Sequence, residues 1–171
     1  DNLDIQAPNR TGVALANSAA TVNFTGNTKS AGSIVNSVLA YNFDGTATFN
    51  DLDITGGNGD RVAILNGSSG TFTFGAASSI STTSGTAVNI DASTPNLTYN
   101  GTINQTGATS AVKINAMTGG SASFTGKITA STGAANAIDL TGNTGSTINF
   151  TGGLDLTTDG GYGFSAINGG T

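Results

Sequence analysis

The sequence predicts an all-β chain wound as a right-handed parallel β-helix, about seven coils of ~25 residues with three short strands per coil. The first observation is a row of aromatic residues, Phe24, Phe49, Phe74, Tyr99, Phe124 and Phe150, spaced by 25, 25, 25, 25 and 26 residues. The second is period-two alternation of apolar residues in three short segments of each repeat, separated by Gly, Asn and Asp turns. The third is composition. There are 26 Gly, 8 Phe and 1 Met, only 9% of residues are charged, and Glu is absent, so helix formers are scarce and β-branched residues abundant. The whole of 1–171 reads as one such segment, a piece of a longer repeat protein.

The elements follow in order along each period. The first carries the aromatic residue: Val22-Asn23-Phe24, Ala47-Thr48-Phe49, Phe72-Thr73-Phe74, Leu97-Thr98-Tyr99, Ala122-Ser123-Phe124 and Ile148-Asn149-Phe150. A turn leads to the second: Leu52-Asp53-Ile54, Ile103-Asn104, Ile128-Thr129 and Leu154-Asp155-Leu156. The third closes the period: Val13-Ala14-Leu15, Val62-Ala63-Ile64, Val88-Asn89-Ile90, Val112-Lys113-Ile114 and Ile138-Asp139-Leu140. Alternation sends the flanking residues inward and the middle one outward. Leu3-Asp4-Ile5 through Val13-Ala14-Leu15 matches Leu52-Asp53-Ile54 through Val62-Ala63-Ile64, two periods on. The coil from Thr25 to Leu39 fits the template least. Its second strand is expected near Ser33-Ile34-Val35, with a bulge or small protrusion nearby.

One coil cannot bury its own inward side chains, so stability must come from stacking coils about 4.8 Å apart. Each buried column residue then contributes about 1.5–3 kcal/mol. The structural stack of the interior is expected to be Phe24, Phe49, Phe74, Tyr99, Phe124 and Phe150, beside columns of Leu/Ile and Val/Ile.

Composition narrows function by exclusion. A net charge of −5 argues against a phosphate-backbone partner, so no nucleic acid is expected. The absence of Cys and His removes disulfides, thiolate nucleophiles, Ser-His triads and His-based metal sites. No apolar run is long enough for a spanning helix, and no membrane insertion of this segment is expected. No cofactor is called for, and the chain is not read as an enzyme.

Function on a rod must be displayed outward. One outward column is Asn23, Thr48, Thr73, Thr98, Ser123 and Asn149, and these are the candidate ligand-binding residues. A second runs Thr25, Asn50, Gly75, Asn100, Thr125 and Thr151. Short polar β-formers also stack as ladders for purely structural reasons. A face that orders water or meets carbohydrate is the functional alternative, but an ice-binding face would want Thr-x-Thr in nearly invariant register, which Asn23, Asn50, Gly75 and Asn149 break. Asp53 and Asp155, with Asp4, are expected at equivalent outward sites. Asp51, Asp53 and Asp60, with Arg61 alongside, form the only local acidic group. Gly56-Gly57-Asn58-Gly59-Asp60 occurs once and is similar to a calcium-binding glycine-rich turn, which makes Asp60 the sole metal candidate. Lys113 and Asp139 are expected to pair on the surface. Seven Asn-x-Ser/Thr sequons begin at Asn9, Asn23, Asn66, Asn96, Asn100, Asn104 and Asn149.

Thr21-Val-Asn-Phe-Thr-Gly-Asn27, Ala122-Ser-Phe-Thr-Gly-Lys127 and Thr147-Ile-Asn-Phe-Thr-Gly-Gly153 carry a resemblance. In repeat style the chain resembles the passenger regions of bacterial autotransporters and of filamentous-haemagglutinin-like secreted adhesins. The Phe24-Thr25-Gly26-Asn27 stretch resembles the Phe-x-x-Asn repeats of chlamydial polymorphic membrane proteins, but their Gly-Gly-Ala-Ile companions are missing. The adhesin resemblance implies an extracellular or cell-surface location, outer membrane-anchored or secreted, and an outer-membrane translocator elsewhere in the full-length protein. It implies a rigid, adhesive stalk displaying a polar face and loops. Its partners would be a host-cell surface, extracellular matrix or glycan, or a second copy by self-association. The alternative is a polysaccharide-binding or polysaccharide-cleaving module of the tailspike or lyase kind.

Overall fold

The computed structural model describes residues 3–6, 9–32 and 35–169. Its strands begin with β1 (Leu3–Gln6), β2 (Val13–Ser18), β3 (Thr21–Ala31), β4 (Val38–Phe43), β5 (Thr46–Thr55) and β6 (Val62–Leu65). The middle coils hold β7 (Thr71–Phe74), β8 (Ser79–Thr82), β9 (Val88–Asp91), β10 (Asn96–Tyr99), β11 (Thr102–Gln105) and β12 (Val112–Asn115). The last are β13 (Ser121–Phe124), β14 (Ile128–Ser131), β15 (Ile138–Thr141), β16 (Thr147–Phe150), β17 (Leu154–Thr157) and β18 (Phe164–Ile167). All are strands, and no helix occurs among the described residues.

Every strand pair is parallel, and each strand pairs with its counterpart one winding away. The fold is therefore an all-β parallel solenoid with three walls. The aromatic wall stacks the first half of β3, the first half of β5, then β7, β10, β13 and β16. The second wall stacks β1, the second halves of β3 and β5, then β8, β11, β14 and β17. The closing wall runs β2, β4, β6, β9, β12, β15, β18. Because β3 and β5 turn the corner without a break, the first two walls join into one 11-stranded sheet beside a 7-stranded one. Complete turns number about six, where the repeat count suggested seven. The described chain enters on the second wall, so the aromatic wall holds one strand fewer than the others.

Inward residues alternate as the period-two pattern requires. Ala47 and Phe49, Phe72 and Phe74, Leu97 and Tyr99, and Ala122 and Phe124 are all buried. Ile54, Ile80, Ile103 and Ile128 form the second column, and Val62, Val88, Val112 and Ile138 the third. The six aromatic rings make a continuous stack. Centroids are 4.5 Å apart for Phe24–Phe49, 5.1 Å for Phe49–Phe74, 5.3 Å for Phe74–Tyr99, 6.3 Å for Tyr99–Phe124 and 5.0 Å for Phe124–Phe150. Such contacts add to area burial and tie each coil to the next.

The coil after Phe24 departs from expectation in where its second strand lies. The second strand expected at Ser33-Ile34-Val35 falls partly on residues 33–34, outside the described residues. The strand is instead the second half of β3, in which Thr28 pairs with Leu52 and Ser30 with Ile54. Both inward residues are polar, so hydropathy alone hides them. The bulge is real: register shifts between Phe24 and Asn27. Val38 to Phe43 does form the third strand, with Val38 paired to Val13 and Val62.

Each winding leaves the closing wall through one left-handed residue. The column reads Asn17, Asn42, Asn66, Ala92, Ala116, Gly142 and Asn168, with φ between 45° and 67°. Asn and Gly are the residues that accept this conformation without a Cβ penalty or with local hydrogen bonding. Ala92 and Ala116 hold it without either aid.

Candidate functional site

The aromatic wall turns its rings inward, so its outer surface is made by the residues between them. Registration is continuous from rung to rung. Thr21, Thr46, Thr71, Asn96, Ser121 and Thr147 lie in one column, and Asn23, Thr48, Thr73, Thr98, Ser123 and Asn149 in the next. Thr25, Asn50, Gly75, Asn100, Thr125 and Thr151 continue the lattice beyond the aromatic residue. There Gly75, Asn100 and Thr125 donate backbone N–H groups to the carbonyls of Phe49, Phe74 and Tyr99 at 2.8–3.0 Å. Of these 18 positions none is charged. The first column was missed in the sequence because it precedes the apolar pair, where a turn residue and a strand residue look alike.

Side-chain bonding on this wall is sparse. Thr125 donates its hydroxyl to Asn100 at 2.7 Å, Ser121 to Asn96 at 3.2 Å, and Asn50 Nδ2 to the Thr25 carbonyl at 3.4 Å. Thr48, Thr73 and Thr98 are half-buried between their neighbours.

Charges sit on the other walls. On the second, Asp4, Lys29 and Asp53 are register partners on successive rungs, followed by Ser79. With Gln6, Ala31 and Thr55 they line an open groove of about 420 Å³. Asp53 accepts from Ser79 Oγ at 2.6 Å. Asn27 Nδ2 bridges Asp51 at 2.7 Å and Asp53 at 3.1 Å. An amide between two carboxylates lets them approach without a counter-ion, at the expense of the Asn27 Oδ1 atom, which is buried without a protein partner.

The other acidic assignments need correction. Asp155 does not stand above Asp53. Ile54 leads through Ile80, Ile103 and Ile128 to Leu154, so Asp53 precedes the inward residue and Asp155 follows it. The turn before this wall changes length from coil to coil, so like sequence spacing does not mean like position, and the unbroken register puts Asp155 in the column of Thr55, two residues beyond Asp53. Asp4, by contrast, does share the Asp53 column. Lys113 and Asp139 are register partners, yet no ion pair within 4.0 Å joins them. Asp139 accepts from Asn136 at 3.3 Å instead, and among the described residues the ion pair is Lys127–Asp155 at 3.2 Å, both side chains mostly exposed.

Asp60 lies at another corner, apart from Asp51 and Asp53. Its carboxylate is engaged on both oxygens, by the Thr86 N–H at 3.0 Å and Asn89 Nδ2 at 2.7 Å. It fastens one coil to the next. No group of three or more acidic, His or Cys side chains able to hold a metal occurs among the described residues. Arg61 is not beside the acids on the surface. It is fully buried in a corner column with Ser37 and Ala87, and donates from Nη2 to the Ser84 carbonyl at 2.5 Å. Its Nε and Nη1 have no protein partner, and burial pulls its pKa down against the raising influence of Asp60. Tyr99 is the second perturbed group: burial first, then the charge of Asp53, pushes its phenol far above its usual range. Tyr41 and Tyr162 are exposed, and neither lines the groove.

No family model, no curated protein and no solved structure matches the chain.

Proposed function

We propose that the chain is a structural and adhesive segment of a secreted or surface-exposed bacterial protein, a rigid stalk that presents one uncharged polar wall to its surroundings. The observation that carries this reading is the outer lattice of Thr, Asn and Ser on the aromatic wall, held in register by the ring stack behind it. A stacked core fixes outward side chains at constant spacing, so little conformational freedom is lost on contact with a partner. Absence of Cys and scarcity of charge suit a chain that folds coil upon coil after export. The test is saturable binding of fluorescent chain to cultured host cells, matrix proteins and immobilised glycans. Binding abolished by Thr73→Lys with Thr98→Lys supports the reading. No saturable binding to any of the three surfaces refutes it.

A second reading is favoured by the groove on the second wall. Asp4 and Asp53 lie two rungs apart with Lys29 between them, which places two carboxylates and a cation along one trough. Polysaccharide recognition uses such polar troughs, and cleavage uses paired acids. No Tyr flanks the trough to stack a sugar ring, which places this reading second. Release of reducing ends from bacterial or plant polysaccharides, lost in Asp53→Asn, would reverse the order.

A further inference from the structure

The closing wall carries large apolar residues on its outside, at Leu39, Tyr41, Leu65 and Ile167. Among the described residues, no such residue stands in the outward columns of the other two walls. We propose that the closing wall is a dimer face, on which two copies of the chain pack side by side with their rods parallel. It is a different wall from the display face above, and the two roles are independent.

Two outward columns build this face. Val62 and Ile64 point into the core, so Ala63 and Leu65 point away from it, and register carries the same alternation to the neighbouring rungs. Ala14, Leu39 and Ala63 form one column and Ala16, Tyr41 and Leu65 the other, so the first three rungs are wholly apolar outside. Tyr41 is 41% exposed and Leu39 and Leu65 are half-buried, while Ala63 is a fully buried floor between Leu39 and Asn89. Above them the columns turn polar, with Asn89 and Asp91, Lys113 and Asn115, then Asp139 and Thr141. An apolar patch continuous with a polar remainder is how interfaces are composed.

Symmetry and charge select a second copy as the occupant. A two-fold axis along the rod lays each column of the wall over the other column of the copy, rung upon rung. Leu39 then meets Tyr41 of the copy, and Leu65 meets the Ala63 floor. Asp91 meets Asn89, Lys113 meets Asn115 and Asp139 meets Thr141, so no charge faces its like on any rung. Lys113 also stands one rung from Asp91 of the copy. Reversing one rod about the middle rung instead sets Leu39 against Asp139, which strips water from a carboxylate without a partner. A strongly charged foreign partner finds no run of opposite charge, because the wall mixes two Asp with one Lys.

Area sets the strength. Seven strands form the wall. At about 4.8 Å per strand and about 3.3 Å per residue along four residues, the two copies cover about 900 Å² of flat area between them. Side-chain relief adds to that figure. The interface falls at the low end of specific ones, below about 1,200 Å², so the dimer is reversible and its share rises with concentration.

The experiment is sedimentation velocity of the 171-residue chain from micromolar to millimolar concentration. The wild type is expected to pass from monomer to dimer. Tyr41→Lys with Leu65→Lys is expected to stay monomeric with wild-type circular dichroism, and Thr48→Lys on the aromatic wall is expected to dimerise as the wild type does. Orientation is read by disulfide trapping under oxidised glutathione, because the chain has no Cys of its own. Mixed Lys113→Cys and Asn115→Cys chains are expected to cross-link, and mixed Lys113→Cys and Ala16→Cys chains are not. If the double Lys variant misfolds, the trapping pattern decides in its place. A wild type that is monomeric throughout, a folded double variant that still dimerises, or preferential trapping of the distant pair overturns the proposal. So does a monomer that this face attaches to lipid vesicles. None of these outcomes touches binding through the aromatic wall, and failure of that binding leaves the dimer standing.

Discussion

Replacing Ala92 and Ala116 with Asn should stabilise the protein, although neither change adds an apolar contact. Both alanines hold φ of 45° and 52° in a column where Asn17, Asn42, Asn66 and Asn168 do the same with Asn, and Gly142 with Gly. An L-residue with a Cβ loses about 1–2 kcal/mol in the left-handed region. Asn recovers part of that through local hydrogen bonding, so Ala92→Asn should gain about 1 kcal/mol. Ala92→Gly should gain less, about 0.5 kcal/mol, because the flexibility of Gly in the unfolded chain takes back about 0.5–1 kcal/mol. Ala92 is exposed, so no packing is lost. The converse change, Asn66→Ala, should lose about 1 kcal/mol. The assay is urea unfolding of the full chain, comparing midpoints at unchanged m. For a domain of this size a gain of about 1 kcal/mol also raises Tm by about 2–4 °C. If Asn and Gly both lower the midpoint at residues 92 and 116, the backbone there is not left-handed and the account of this turn is wrong.

Phe74→Ala should cost about 3–5 kcal/mol, since a fully buried ring leaves a cavity between Phe49 and Tyr99, while Phe150→Ala, half-buried at the stack's end, should cost less in the same urea titration. Tyr99 should make the fold sensitive to alkali. Its folded pKa is raised, so its stabilising contribution is intact below the unfolded value of about 10. Above that value the unfolded state releases a proton that the folded state keeps, and stability falls by about 1.4 kcal/mol per pH unit until the folded phenol ionises. Tyr99→Phe should flatten that slope, and an unchanged alkaline slope counts against the burial argument. Gly126→Ala should destabilise strongly, because a Cβ there would fall on the carbonyl oxygen of Gly101 in the coil below. Asp155→Asn, which removes the Lys127 pair, should change stability by less than about 1 kcal/mol, as exposed pairs do.

How much of this was legible in the sequence depended on the kind of residue. The aromatic, Leu/Ile and Val/Ile columns could be read because each repeats a large apolar group at a fixed offset, and stacking is what such repetition means. Thr28 and Ser30 could not, since polar residues at inward positions leave no hydropathy signal. Arg61 misled for the same reason in reverse: a guanidinium reads as surface, yet here it fills a corner beside small residues. Asp155 was misplaced because a period counted on one wall does not fix the others. Where Phe49, Phe74 and Tyr99 on the aromatic wall are spaced by 25, Ile54, Ile80 and Ile103 are spaced by 26 and then 23. The polar column at Thr46 and Thr71 was invisible until register decided which of two adjacent residues was strand.

The division of labour among the walls follows from where slack in the winding is absorbed. Turns of different length precede the second wall in successive coils, so one position on it takes different residue types from coil to coil although the rungs stay in register. Asn27, Asp51, Asp53 and Ser79 bond in one place, and Lys127 with Asp155 in another. Its charges therefore meet as individual local sites rather than as one repeated row. The aromatic wall is pinned by ring contacts of 4.5–6.3 Å between successive coils, so its outward residues inherit one spacing throughout. Repetition of Thr, Asn and Ser is therefore concentrated where it can be used collectively. A residue inserted within the strand, between Thr73 and Phe74, would turn that ring outward, whereas one inserted in a turn is absorbed, as between Phe124 and Phe150, whose spacing is 26 and whose rings still stack at 5.0 Å.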